Sequence, residues 1–310
     1  MILRLGVYLF KIVCAFSSPA RFPSYKGFSL RGAFGSAFRR VCCIKGLKDD
    51  CSLCMLRSHC AYFRIFESQQ LTNSEGKDLP RGFVLEPPYD RKREYKEGDE
   101  IEFNVILFGW VKEYLPFFLL AFESMGKRKI GLPGERGEFK IKDVIFKGER
   151  IYNDGQLQEI DITPLEIDYP SIPFNAVEIE IISPLRLKHN SSMVSADGFN
   201  ETTFITSVAR RIRILDKHYN ILQDNIKWDS LMDLLVLEEK HVKWIDKERF
   251  STRQQQRMKL GGLIGSAKFR LLGTEEGKQK LFEVLKACEF IHIGKATTFG
   301  LGKILVKGEV

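Results

Sequence analysis

Strand-like and helix-like segments follow one order in this chain, β-α-β-β-α-β. That order occurs twice, on either side of a proline-bearing stretch, 162–174, which holds Pro164, Pro170 and Pro173. In the first half Leu3, Leu5, Val7 and Leu9 alternate with Arg4, Gly6 and Tyr8, the two-residue period of a strand, and Lys11 interrupts what would otherwise resemble a secretory leader. Leu30, Phe34, Phe38 and Val41 then recur at helical spacing, with Ser29 placed as the cap. A strand over 100–110, a helix over 111–126 and glycine-punctuated strands to about residue 160 complete the half. The second half begins near residue 174 and reads as a strand over 176–183, a helix over 202–222, strands around 239–246 and 266–272, a helix over 274–290 and a last strand, KILVKGE. The order predicts an α+β fold of two tandem ferredoxin-like domains, 1–165 and 174–310, with a small cysteine-rich insertion in the first. A chain of 310 residues is long enough to give each half its own core. No apolar run approaches the roughly 18 residues that cross a bilayer; the best has nine residues, 114–122, and contains Pro116. The expectation is a protein without a membrane span.

Five of the seven cysteines crowd between positions 42 and 60, in CCIKGLKDDCSLCMLRSHC. This spacing points to metal ligation in a reducing cytoplasm rather than to secreted disulfides. Cys51 and Cys54 form a CxxC pair, and with Cys60 and Cys43 they supply four thiolates for a structural zinc ion. An iron–sulfur cluster would use the same set, Cys42 could replace Cys43, and His59 could replace one thiolate. Cys14 and Cys288 read as core residues.

Lysine and arginine number 48 against 40 acids, a net charge of +8 that favours a polyanionic partner. The window 240–270 holds nine of these cations against Asp246 and Glu248, and they surround Gly261, Gly262 and Gly265, whose bare N–H groups suit phosphate oxygens. On the 202–222 helix, Val208, Ile212, Leu215 and Tyr219 form an apolar stripe, with Arg210, Arg213 and Lys217 opposite. Gly32 and Gly35, poor helix formers, mark close approach by a neighbour or a ligand. The C-terminal segment HIGKATTFGLGKILV sets Gly294, Gly300 and Gly302 among Lys295, Thr297, Thr298 and Lys303, beside His292. It is neither a P-loop nor a dinucleotide fingerprint, since GxxxxGK[ST] and GxGxxG are both absent.

These residues resemble the CRISPR-associated endoribonucleases that process precursor guide RNA, members of the RAMP superfamily. The likeness rests on YKGFSLRGAFGSAFRRV followed by CxxCxxxxxCxYxxxFE over 51–67, on STRQQQRMKLGGLIG, and on the terminal HIGKATTFGLGK, with fainter echoes in ILFGW and SPLRLK. The resemblance implies two ferredoxin-like domains that hold CRISPR repeat RNA across a basic cleft, with the loop before the last strand contacting RNA. It also implies metal-independent cleavage, in which a ribose 2′-OH attacks the adjacent phosphate and leaves a cyclic phosphate and a 5′-OH. That step needs a base, an acid and cations for the developing charge. Many relatives place the base histidine in or just after the first helix, yet that helix here carries Arg31, Arg39 and Arg40 and no histidine.

Of the five histidines, His292 is the expected base or acid, with Lys295 and Tyr25 assisting. The alternative for His292 is a buried ring bonded to a backbone carbonyl. The expected RNA contacts are Arg31, Arg39, Arg40, Arg210, Arg213, Lys217, Arg253, Lys295 and Lys303, with Gly294, Gly300 and Gly302 admitting the backbone to phosphate. Other readings stay open: a non-catalytic RNA-holding subunit of a CRISPR effector complex, or a zinc or iron–sulfur interaction module.

Overall fold

The computed structural model describes residues 3–45, 50–67, 79–153, 155–168, 175–223, 226–251 and 256–309, and 248–251 and 256–259 as backbone only. The chain folds as two compact units, Tyr8–Thr163 and Met1–Val7 with Pro164–Val310. The expected division, 1–165 and 174–310, thus gains a refinement: the first residues belong with the C-terminal unit. The single opening strand is split at Gly6. β1 (Leu3–Leu5) pairs antiparallel with β8 (Leu165–Ile167), inside the stretch expected to be a linker, and the Gly6 N–H donates to Ile221 O at 2.7 Å.

In the N-terminal unit the elements are β2 (Val7–Phe16), α1 (Gly27–Cys42), the short α2 (Ala61–Ile65), β3 (Phe83–Glu86), β4 (Glu100–Phe108), α3 (Leu115–Lys127), β5 (Phe139–Phe146), β6 (Glu149–Asn153) and β7 (Gln156–Leu157). The sheet runs β7-β6-β5-β2-β4-β3, so β5-β2-β4-β3, counted in chain order from β2, stand in the order fourth, first, third, second. Leu30, Phe34 and Phe38 are buried as their spacing requires. Phe34 sits 5.0 Å from Phe118, 5.1 Å from Phe38 and Phe122, and 5.6 Å from Phe83, an aromatic cluster that joins α1 to α3 and the sheet. The helix begins at Gly27, ahead of Ser29, with Lys26 at the cap; its ammonium is buried and bonds Asp90 Oδ1 at 2.7 Å. Gly35 is a packing glycine, because a Cβ there would meet the Phe66 ring, whereas Gly32 faces open space.

The C-terminal unit continues with β9 (Ala176–Leu185), the hairpin β10 (Lys188–His189) and β11 (Ser192–Met193), α4 (Glu201–Tyr219), β12 (Leu235–Ile245), β13 (Glu248–Ser251), β14 (Gln256–Lys259), β15 (Gly262–Leu271), α5 (Glu275–Ile291) and β16 (Ile304–Glu309). Its four-stranded sheet runs β12-β15-β9-β16, again fourth, first, third, second when read from β16. Asn200 and Thr203 cap α4 reciprocally, and Asn220 closes it at φ 51°. The expected stripe of Val208, Ile212, Leu215 and Tyr219 is buried, with Arg210, Arg213 and Lys217 outside. Among the described residues no helix is long and apolar enough to cross a membrane.

Candidate nucleic-acid interface

The C-terminal glycine segment is a braced loop between α5 and β16. α5 ends at Ile291 and is capped by His292, which takes φ 56°, and Ala296 takes φ 62°, a region that side-chain-bearing residues enter only where surrounding contacts hold them. Gly294 at φ 86° and Gly302 at φ 78° have no such choice: a Cβ would overlap the carbonyls of Arg186 and Ile293 respectively. Each turn of the loop is tied down. The Ile293 N–H donates to Gly302 O at 2.9 Å, the Lys295 N–H to Arg186 O at 2.9 Å, and the Gly302 N–H to Pro184 O at 3.1 Å. The β9–β15 register shifts between Ile181 and Leu185, and within this irregular stretch the Ser183 hydroxyl donates to Gly300 O at 2.8 Å while accepting from Lys303 N at 2.9 Å.

His292 is fully buried, with Nδ1 3.0 Å from Leu301 O. In this conformation the ring of the expected base or acid has no exposure and faces a backbone carbonyl. Lys295 projects to solvent from the same loop. Tyr25, the third expected participant, lies in the other unit and is buried with its ring 5.0 Å from Phe28.

The cations fall into groups. In the C-terminal unit Arg210 is exposed and donates to Lys188 O at 2.7 Å, two residues from Arg186, whose carbonyl holds Lys295. Arg186, Lys188, Arg210 and Lys295 thus share one end of the unit. Arg213 rests over the Trp228 ring at 5.4 Å and Lys217 is exposed further along α4, whereas Lys303 reaches over Phe290 at 5.9 Å. Arg253 lies outside the described residues. In the N-terminal unit Arg31 sits 4.2 Å over Phe66 and Arg39 5.7 Å over Tyr62, with Arg40 exposed. Arg64 over Trp110 at 4.5 Å and Arg81 over Phe66 at 5.4 Å extend this array; sequence reasoning missed both. Apart from Arg40, each of these N-terminal cations is held against a π-face.

Sequence reasoning also missed Arg211. It is buried, donating from Nε to His292 O and from Nη2 to Ile291 O and Thr297 Oγ1, each at 3.1 Å. Burial lowers its pKa to about 10, which leaves it a cation at neutral pH. Its position was legible: three residues after Val208 and four before Leu215, it falls inside the apolar stripe.

The cysteine segment spans the end of α1, a short turn at Cys51–Leu53 and the cap of α2 at Cys60. Burial pushes the Cys42 thiol up to about 12, with the neighbouring charges of Cys60 and Cys43 adding to it, and burial also raises Cys51. Among the described residues no three His, Cys, Asp or Glu side chains gather as a metal-ligand set. The tetrad Cys43, Cys51, Cys54 and Cys60 is not among such groups.

A family model described as CRISPR-associated endoribonuclease Cas6 matches residues 179–304. A second, AF_1859_N, described as an N-terminal domain, matches residues 4–164. No curated protein sequence matches the chain. A structure titled "Partial Cas6-RT-Cas1--Cas2 complex" aligns with TM-score 0.59 at 12% identity over 99% of this chain and 47% of that one, so this chain spans about half its length. The "Cas6 (TTHB231) product complex" aligns with TM-score 0.56 at 13% identity over 97% of this chain and 99% of that one. Thermus thermophilus Cas6 (TTHB231) gives TM-score 0.52 at 11% identity over 98% and 99%. At such identities the likeness is one of fold.

Proposed function

We propose that this chain, whose residues 179–304 match the family model of the CRISPR-associated endoribonuclease Cas6, binds CRISPR repeat RNA and cuts it by metal-independent transesterification, yielding guide RNA. A base removes the 2′-OH proton, the 2′-oxygen bonds the adjacent phosphorus, and the P–O5′ bond breaks. An acid protonates the leaving oxygen, giving a 2′,3′-cyclic phosphate and a 5′-OH. The order fourth, first, third, second in both sheets supports reading the two units as tandem ferredoxin-like domains. The observation that carries the proposal is the braced glycine loop: it ties Lys295 to Arg186 O, two residues from the Lys188 carbonyl that Arg210 bonds, an arrangement of backbone and cations suited to phosphate. Lys295 serves there to stabilise charge on the phosphorane, and His292 holds the loop rather than moving the proton.

Incubating the protein with its host's repeat RNA in EDTA and mapping the ends tests this reading. Cyclic-phosphate and 5′-OH termini, abolished by a 2′-deoxy substitution at the cut site, are expected; RNA left whole at saturating protein overturns cleavage. The burial of His292, with no histidine in α1, favours one second reading, an RNA-holding subunit without catalysis. The same experiment separates the two, because that subunit binds the RNA and leaves it whole. A structural zinc at Cys43, Cys51, Cys54 and Cys60 is a separate proposal resting on spacing. One zinc per chain by elemental analysis, lost in Cys51→Ser, supports it, and a metal-free wild type removes it.

A further inference from the structure

We infer that Arg211 is a positioning residue for RNA binding: from inside the C-terminal unit it fixes the conformation of the 292–303 loop without touching the RNA. The inference rests on the proposed role of that loop and adds a residue to it. A guanidinium presents donors in a rigid planar fork, and here the fork is spread over three acceptors of one connection. Ile291 O and His292 O lie at the end of α5, where carbonyls have lost their intrahelical partners, and Thr297 Oγ1 lies across the loop's first turn. The bonds therefore close the loop from its entry to its middle. They do so where the backbone is least willing to stay, because His292 and Ala296 both hold positive φ. Such residues persist only where neighbours over-determine them. Arg211 holds the entry, and the bond from His292 Nδ1 to Leu301 O together with the Ser183 bridge holds the exit.

The functional consequence concerns affinity. A loop fixed in advance does not lose conformational freedom when RNA docks. Arg210, the next residue, plays the opposite part, since it points to solvent and can meet a phosphate directly. Adjacent arginines on one helix thus divide the work, one outward to the ligand and one inward to the frame that presents Lys295.

The test compares wild type, Arg211→Lys, Thr297→Val and Lys295→Ala, each titrated with the host's repeat RNA at several salt concentrations below its melting temperature. Lys keeps the charge and loses the fork; Val keeps the volume and removes one acceptor. Arg211→Lys is expected to weaken binding about tenfold while leaving the slope of log Kd against log salt unchanged, because no phosphate contact is lost. Lys295→Ala is expected to make that slope shallower by nearly one phosphate's worth. Thr297→Val should weaken binding about two- to threefold, and in both interior variants amide exchange should quicken at Ile293 and Lys295 ahead of the rest of the unit.

Wild-type affinity in Arg211→Lys beside a weakened Lys295→Ala overturns the positioning role and leaves the loop's role standing. Unchanged binding in Lys295→Ala as well overturns the loop's role itself. Exchange that quickens evenly across α4 and the sheet makes Arg211 a fold residue only. If Arg211→Lys does not fold, Thr297→Val decides: full affinity with unaltered loop exchange overturns the inference.

Discussion

The two segments richest in special residues, the glycine loop at 292–303 and the cysteine segment at 42–60, are built in opposite ways. The loop buries Ile293, Thr297, Thr298 and Leu301 and is tied by backbone bonds at both ends. The cysteine segment instead exposes Ile44 at 86%, Leu53 at 85% and Met55 at 80%, and its thiols neighbour one another without forming disulfides. Glycines specify a backbone path, and the chain itself supplies every group that path needs. Cysteines specify side-chain chemistry, which takes its energy from an ion or a partner thiol and leaves the local backbone and apolar groups less constrained. One segment is thus braced by its own backbone, whereas the other leaves large apolar side chains exposed.

The contrast can be broken at either side. Gly302→Ala forces a Cβ onto the Ile293 carbonyl at a positive φ and should cost on the order of 3 kcal/mol in urea unfolding; a wild-type midpoint would show a loop that yields, not one that is braced. His292→Ala removes a buried ring and its bond to Leu301 O, at about 2 kcal/mol. Single-turnover cleavage should then fall mainly through weaker RNA binding. Full stability with a chemical step slowed about a hundredfold would return the ring to catalysis.

The remaining tests sharpen the other side. Since burial and then the neighbouring Cys60 charge raise the Cys42 thiol, it stays protonated at about pH 8 and gains thiolate only as pH climbs toward about 12. Alkylation of Cys42 should therefore lag a free thiol at that mildly alkaline pH and close the gap at high pH, and equal rates there would mean an activated thiolate. Leu53→Ser should change stability by less than about 0.5 kcal/mol, as a surface substitution does. A loss above about 1 kcal/mol would reveal a side chain that folding already engages.

Several features were legible residue by residue. The Phe34 and Phe38 spacing gave α1 its buried face, and the stripe on α4 separated Arg210 and Arg213 from the core as expected. The split of the first strand was not legible, since it depends on Gly6 meeting Ile221, more than two hundred residues away. Nor was the burial of His292, because an imidazole beside glycines and lysines has the same sequence signature whether it faces solvent or a carbonyl.

Much of the local order therefore came from the sequence: where the long helices and most of the longer strands lie, though not the strand Phe83–Glu86, and that glycines at 294 and 302 mark a special backbone. These are short-range properties, set by side-chain period and by which φ a residue tolerates. Tertiary structure decided what the buried polar groups hold. Arg210 and Arg211 are chemically identical neighbours, and only the carbonyls of Ile291 and His292, brought to α4 from eighty residues away, make one of them a brace. Burial is a property of what arrives from elsewhere in the chain, and a buried cation takes its role from the acceptors that meet it there.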